Sequence, residues 1–363
     1  MKRVVVLGAT GSIGTTFLEA VRHNRINVEV AALVAHSSED KLRKLSREFS
    51  CPYALNRDCF DLEAFLRSLD ADMALNGIAG AEGLEASVAA VDAGLNLSLA
   101  NKETVVMGGS WFLDYAARKN VKVIPVDSEH SAIYHLMKGH SSVSSLVITA
   151  SGGPFLGRRD LDDIKWQDAV KHPTWKMGRK ISIDSATLAN KGLEVIEAGF
   201  LFNMKACDIE VTIHRQSIIH SMIRLANGSV YAQLSPPDMT LPILAAVNED
   251  AESLLSSVAP LSFDNLELTF QRWSREEFPL LALAYSCLER KGSYPIAFNA
   301  ADEVAVGLFI DDRIRFTDIA RIVERTVEDH DWSRNCSSLE EILREDRRAR
   351  EAAREVAYGL LSI

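Results

Sequence analysis

The chain has 363 residues, with 40 basic and 50 acidic side chains that leave a formal net charge of −10. This balance argues against an electrostatic nucleic-acid binder, which carries a basic excess, while leaving room for a local basic pocket for a small anion. Hydrophobic residues make up 47% and charged residues 25%, so disorder, collagen, coiled coil and a disulfide scaffold are poor fits, and the length predicts two or three soluble domains.

In chain order, Val4–Leu7 reads as a β-branched strand ending at Gly8. A helix follows with Ile13, Phe17, Leu18 and Val21 on one side, then a second apolar run over Val28–Val34. Strand, helix and strand within about thirty residues open a doubly wound sheet. The alternation continues with a helix over Leu62–Leu69, a strand over Ala71–Asn76 and a helix over Leu84–Ala93. Strands over Leu95–Ala100 and Val121–Val126 come next, implying a mostly parallel sheet. Beyond Asp127 the texture becomes α+β, with strands at Ser144–Thr149, Glu210–Ile213 and Ser229–Leu234 and helical stretches near 160–170 and 186–202. Residues 249–276 are weakly patterned and read as a connection, and from 277 the chain is helical. The expected division is 1–126, 127–248, 249–276 and 277–363. Phe278–Leu288 is mostly apolar, but it is short and contains Pro279. No stretch supplies the ~20 apolar residues of a membrane helix. Cys51, Cys59, Cys207, Cys287 and Cys336 show no CxxC spacing, the usage of a reducing, cytoplasmic chain without a zinc knot.

Gly8-Ala9-Thr10-Gly11-Ser12-Ile13-Gly14 sits between a strand and a helix. Glycines let the backbone approach a pyrophosphate, and the helix N-terminus faces it with N–H groups. The second strand ends at His36-Ser37-Ser38 and not at the acid that holds the ribose 2′-OH of NAD, which favours NADP. Further along, Asp127 and Glu129 are two apart and would point the same way in extended backbone, offering hard oxygens for Mg²⁺ or Mn²⁺, or else forming a solvated strand end. A helix from about Thr187 places Asn190, Lys191 and Glu194 on one third of its surface, with Ser185 beside its N-cap. These suit a phosphate held by Ser185, Asn190 and Lys191 and a cation held by Glu194, or else a solvated face with a Lys–Glu pair. Ser151, in the turn Thr149–Phe155, offers a hydroxyl to an anion unless the turn is purely structural, and His172–Gly178 reads as a mobile loop able to close over a substrate or as an ordinary surface loop over a packed Trp175. His214 and His220 read as hydrogen-bonded core groups. Tyr115/Lys119 and Tyr134/Lys138 match a Y-x-x-x-K pair that is common on solvated helices. A semialdehyde- or sugar-type dehydrogenase and a non-catalytic nucleotide sensor are the rival readings; the first lacks a cysteine in a glycine-rich nucleophile context, and the second has no need of the acids.

Longer segments carry a resemblance. GATGSIG (8–14), LANKE (99–103), PVDSEH (125–130), TASGGPF (149–155), HPTWKMGRKISIDSATLANKGLEVIEA (172–198), QSIIHSM (216–222), PPDM (236–239) and FNAADEVAV (298–306) keep their order through nearly the whole chain. The chain resembles the 1-deoxy-D-xylulose 5-phosphate reductoisomerase family of the non-mevalonate isoprenoid route. The resemblance implies an α/β fold with an N-terminal Rossmann-like NADPH domain, a central α+β catalytic domain and a C-terminal helical bundle, in a homodimer. It implies a catalytic Lys102, and Mg²⁺ or Mn²⁺ held by Asp127, Glu129 and Glu194. A small phosphorylated sugar would be contacted by Lys102, Ser128, Glu129, Ser151, His172, Ser185, Asn190, Lys191 and Glu194. NADPH would be contacted by Thr10, Gly11, Ser12, Ile13, Asn101, Glu103 and Gly178, with Trp175 and Met177 in a lid. It further implies a retro-aldol cleavage and re-addition followed by hydride transfer. Arg215, Ala189, Ser235, Thr240 and the segment His36-Ser37-Ser38 depart from the family's usual residues.

Overall fold

The structure is a computed structural model that describes all residues except 58–59, 159, 171–174, 176–177, 250–257 and 362–363. In chain order the elements are β1 (Lys2–Leu7), α1 (Ser12–Arg22), β2 (Val28–Ala35), α2 (Glu39–Phe49), β3 (Tyr53–Leu55), α3 (Leu62–Arg67), β4 (Met73–Asn76), α4 (Glu82–Asp92), β5 (Asn96–Leu99), α5 (Lys102–Arg118), β6 (Val123–Pro125) and α6 (Ser128–Lys138). They continue with β7 (Val143–Ala150), α7 (Trp166–Ala169), α8 (Arg179–Thr187), α9 (Ala189–Leu201), β8 (Ile209–Ile213), β9 (Ile219–Leu225), β10 (Val230–Leu234) and α10 (Thr240–Asn248). The last four are α11 (Pro279–Arg290), α12 (Tyr294–Ile310), α13 (Phe316–Glu328) and α14 (Leu339–Leu361). Two compact units result. One comprises 1–105, 112–139 and 238–261; the other comprises 106–111, 140–237 and 262–363.

The first unit holds a six-stranded sheet in the order β3-β2-β1-β4-β5-β6, with every pairing parallel. This is the doubly wound order in which the chain reverses direction between β1 and β4 and ligands bind beyond the carboxyl ends of the strands. The strands read as continuous apolar runs because both faces are covered. Val4, Val6, Leu33 and Leu75 pack with Phe17 and Leu18 of α1 and Leu42 of α2, all at most 1% exposed. Ile243, Leu244 and Val247 of α10 complete this core, although more than a hundred residues separate them from β6.

The second unit is built on a four-stranded mixed sheet, β10-β9-β7-β8, in which only β7 and β8 are parallel. Helices α8, α9 and α11–α14 pack in the same unit. The helix expected near 160–170 is confined to Trp166–Ala169. The helix expected near 186–202 is two helices, broken at Leu188, whose left-handed φ of 55° ends α8 one residue before α9 begins.

Candidate active site

In the first unit the glycine loop leaves the sheet at the end of β1. The N–H groups of Gly8 and Ala9 both donate to the Val34 carbonyl at 2.9 Å, which fixes the loop beside the end of β2. A Cβ at Gly14 would fall 2.6 Å from the Gly8 carbonyl oxygen, so only glycine lets α1 begin this close to β1. Gly11 is the N-cap of α1 and no side chain caps the helix, which leaves its first turn to an external acceptor. Gly11 and Ser12 are exposed; Thr10 and Ile13 are half-buried.

At the same sheet edge, β5 and β6 deliver the next groups. Asn101 N-caps α5, its side chain accepting from Thr104 N at 3.0 Å and donating to Glu103 and to the Gly80 carbonyl, both at 2.8 Å. Thr104 joins a buried chain through Ser87 to Asn76. Asn101 and Glu103 are therefore buried in fold-making bonds. Lys102, 6% exposed, pairs with Asp127, which follows β6.

Asp127 and Glu129 do not share one stretch of extended backbone: Asp127 is non-helical (φ −55°, ψ 138°), and the helix starts at Ser128. Asp127 is the N-cap of α6, its carboxylate accepting from Ser128 N at 2.9 Å, and Glu129 lies in the first helical turn. Carboxylates are favoured there by the unsatisfied N–H groups and the positive end of the helix dipole. The hydroxyl of Ser128 donates to Glu129 at 2.6 Å.

In the second unit α9 carries the nest. Asn190 and Lys191 both donate to the Glu194 carboxylate, the ammonium at 2.6 Å, with the Lys191 and Glu194 side chains only 5% and 1% exposed. A fully solvated face is thus excluded: the three share one face, on which Lys191 and Glu194 are buried and Asn190 is half-buried. Ser185 is not beside an N-cap but inside α8, and it is buried. The turn after β7 rests on it. A Cβ at Gly153 would come within 2.5 Å of the Ser185 carbonyl oxygen, and Gly153 N donates to the hydroxyl of Ser151 at 3.2 Å. So the turn carrying Ser151 and the helix carrying Ser185 meet through backbone.

Sequence reasoning passed over the clamp that holds α8. Lys180 donates to Asp184 at 2.6 Å and to Asp302 of α12 at 2.9 Å, both carboxylates being nearly or fully buried. Lys180 and Asp184 share one turn of helix, which spacing alone reveals; Asp302 lies too far along the chain for any local pattern to show it.

Trp175 lies with its ring 6.2 Å from that of His220, and Gly178 is the exposed N-cap of α8. His172 and Met177 fall outside the described residues. His220, 4% exposed, hydrogen-bonds Ser235 at 2.9 Å, and burial pushes its pKa down to about 4. His214 is also buried, bonding the Thr269 carbonyl through Nδ1 and accepting from Ile218 and Ile219 N–H through Nε2. Both are core groups, as their sequence context predicts. Tyr115 and Lys119 share Asp92 as a partner. Burial raises the Cys51 and Cys336 thiols to about 11, which disfavours a thiolate nucleophile at either.

These features define a class: an α/β protein with a Rossmann-type dinucleotide loop, carrying in its second unit a buried Lys191–Glu194 pair with Asn190 beside it. Family models narrow it. The model described as 1-deoxy-D-xylulose 5-phosphate reductoisomerase matches residues 4–66 and 59–109. Its C-terminal domain model matches 123–202, and a further DXP reductoisomerase C-terminal domain model matches 234–352. The 1-deoxy-D-xylulose 5-phosphate reductoisomerase of Treponema denticola is 46% identical over 97% of this chain and 96% of its own, and that of Trichlorobacter lovleyi is 42% identical over 99% and 98%. Among solved structures, a DOX-P reductoisomerase in complex with NADPH, fosmidomycin and magnesium superposes with a TM-score of 0.91 at 33% identity over 99% of both chains. The Zymomonas mobilis enzyme in complex with NADPH gives 0.86 at 34% identity over 98% and 99%. The chain belongs to the 1-deoxy-D-xylulose 5-phosphate reductoisomerase family.

Proposed function

We infer that the chain is an NADPH- and divalent-metal-dependent enzyme that isomerises and reduces 1-deoxy-D-xylulose 5-phosphate to 2-C-methyl-D-erythritol 4-phosphate for isoprenoid precursor biosynthesis. The observation that carries this reading is the buried Lys191–Glu194 pair of α9 with the half-buried Asn190 beside it, a costly arrangement that a solvated helix has no reason to adopt.

Asp127, Glu129 and Glu194 offer only carboxylate oxygens, the donors that Mg²⁺ and Mn²⁺ prefer, and they are the residues that would hold the cation. When bound, the cation supplies Lewis acidity toward the substrate's oxygens. NADPH, when bound, supplies the hydride. Thr10, Gly11, Ser12, Ile13 and Gly178, with the LANKE segment around Asn101 and Glu103, are assigned to it. Ser151, Ser185, Asn190 and Lys191 bind the remote phosphate, so that its binding energy orients the reacting end of the sugar. Lys102, held against Asp127, keeps a positive charge near the oxygens on which charge develops. Ser128 orients the Glu129 carboxylate. His172, Trp175 and Met177 are assigned to closing over the substrate and excluding water.

The assignment divides the chain into an NADPH domain over 1–126, a catalytic domain over 127–248, a connection and a helical domain from 277. It also takes the protein to be a cytoplasmic homodimer. The described cysteines carry no disulfide, and the edge strand β10 leaves Val230 and Tyr231 50% and 42% exposed, which supports a covering partner. Among the described residues no helix is long and apolar enough to cross a membrane. The test is NADPH oxidation with 1-deoxy-D-xylulose 5-phosphate, with and without Mg²⁺ or Mn²⁺. Metal-dependent turnover is expected, and its absence would overturn the reading.

A further inference from the structure

In a doubly wound fold the adenosine ribose is read at the end of β2, by a carboxylate for NAD or by a nearby arginine for NADP. Here that segment is His36-Ser37-Ser38, which brings no arginine or lysine of its own. The structure gathers cations around it from other elements. Asn56 N donates to the Ala35 carbonyl at 2.9 Å, and the Nδ1–H of His36 donates to the Asn56 carbonyl at 3.0 Å. These two bonds tie the residues after β3 to the end of β2 and carry Arg57 to the start of α2. There its guanidinium lies 3.5 Å from the Glu39 carboxylate. Arg43, one turn into α2, holds the other Glu39 oxygen at 2.8 Å. Lys41 donates to the Thr10 carbonyl at 2.8 Å, fixing the first turn of α2 to the glycine loop. Ser37, Ser38, Glu39, Asp40, Lys41 and Arg43 line an open concavity of about 540 Å³, and Arg57 stands outside this lining, against Glu39.

The unequal distances decide which cation reads the ligand. At 2.8 Å the Arg43–Glu39 contact is a full charge-assisted hydrogen bond, and it neutralises an acid that would otherwise repel a phosphate. At 3.5 Å the Arg57–Glu39 pair is beyond a good hydrogen bond, and both side chains are well exposed (48% and 39%). Exchanging Glu39 for a dianionic phosphate therefore costs Arg57 little and returns a bidentate contact. We propose that Arg57 reads the 2′-phosphate of NADPH in this chain, with Arg43 screening Glu39. The inference rests on the NADPH reading above and names the residue that sets the preference for NADPH over NADH.

Calorimetric titration of NADPH, NADH, 2′,5′-ADP and 5′-AMP tests it without turnover. Arg57→Ala is expected to weaken NADPH and 2′,5′-ADP by roughly 10- to 100-fold while leaving NADH and 5′-AMP within about twofold. Arg57→Lys should fall between, since an ammonium keeps the charge but loses the fork. Glu39→Gln should tighten NADPH a few-fold, on the order of what one partly screened surface charge contributes. An Arg57→Ala protein whose NADPH-to-NADH affinity ratio equals the wild-type ratio would overturn the assignment of Arg57 alone. Wild-type protein that binds both cofactors equally would overturn the NADPH reading, and this inference with it. A thermal midpoint within a degree or so of wild type verifies that the exposed substitution leaves the fold intact.

Discussion

Two regions of this chain are proposed to meet phosphate, and they are built by opposite means. The Gly8–Gly14 loop carries no titratable residue: it offers backbone N–H groups at the start of α1. Gly14 is there because α1 and the loop after β1 approach too closely for a Cβ, and Gly8 because its φ is +81° and Gly77 lies against it. The α9 nest offers side-chain charge, Lys191 against Glu194, taken almost wholly out of water. The first region costs the fold little, since a helix N-terminus exists wherever a helix starts. The second costs desolvation of two ions, which α9 bears because every residue from Lys191 to Gly199 is buried by its neighbours. Binding built from backbone and binding built from buried charge should therefore respond differently to mutation.

The largest expected effect separates the cation site from the loop. Glu129→Gln removes a proposed metal-ligand charge and should lower kcat by about 10³- to 10⁴-fold, the scale of several kcal/mol of lost transition-state stabilisation. NADPH affinity, which is assigned to the loop, should stay within about twofold by fluorescence titration; a parallel loss of both would mean the cation site and the loop act as one. Next comes the nest itself. Lys191→Met leaves Glu194 buried without its ammonium, an expected cost of about 3–5 kcal/mol in urea unfolding together with loss of substrate binding. A variant as stable as the wild type would show that the pair is not held out of water as the structure has it.

The same contrast governs what the sequence made legible. The loop was readable because glycine spacing and a flanking strand and helix are local and steric. The strands of the parallel sheet were readable as apolar runs. Three features were not. Helix α10 is buried on nearly every side, so Leu241-Pro242-Ile243-Leu244-Ala245-Ala246-Val247 shows no helical period, and its place in the first unit's core depends on contacts distant in sequence. Asp127 and Glu129 were expected in extended backbone; the apolar strand stops before them, and Asp127 does what aspartate does at a helix start. In α9 the spacing of Asn190, Lys191 and Glu194 was legible but their burial was not, because burial is imposed by α11 and its neighbours.

A smaller effect tests burial next to the nest. His220 is nearly enclosed, its pKa pushed down to about 4 from an ordinary 6.5 because burial disfavours the imidazolium, with Lys191 adding to the shift. Below pH 6.5 the unfolded chain takes up a proton that the folded chain refuses. The stability associated with neutral His220 is therefore fully present above pH 6.5 and lost as the pH falls toward 4, about 2 kcal/mol of it between pH 7 and pH 5. Urea unfolding at the two pH values should show that loss, and His220→Gln should make the acid side shallower by a similar amount. Equal slopes in the two proteins would mean that His220 titrates alike in both states.

The smallest effect on stability belongs to the loop, and there it is the smallness that is informative. Ser12 is the first residue of α1, exposed, with its backbone carbonyl accepting from the Thr15 hydroxyl at 3.0 Å. Alanine keeps that carbonyl and is a better helix former, so Ser12→Ala should leave the unfolding free energy within about 0.5 kcal/mol. It removes one hydroxyl that can meet a pyrophosphate oxygen, so NADPH affinity should fall by roughly 3- to 10-fold, the scale of one hydrogen bond. Unfolding and NADPH titration on the same preparation separate the two effects. A loop that binds through backbone N–H groups tolerates the change with such a modest loss, whereas a hundredfold loss would mean that side chains carry the cofactor in the first unit as they are proposed to carry the phosphate in the second.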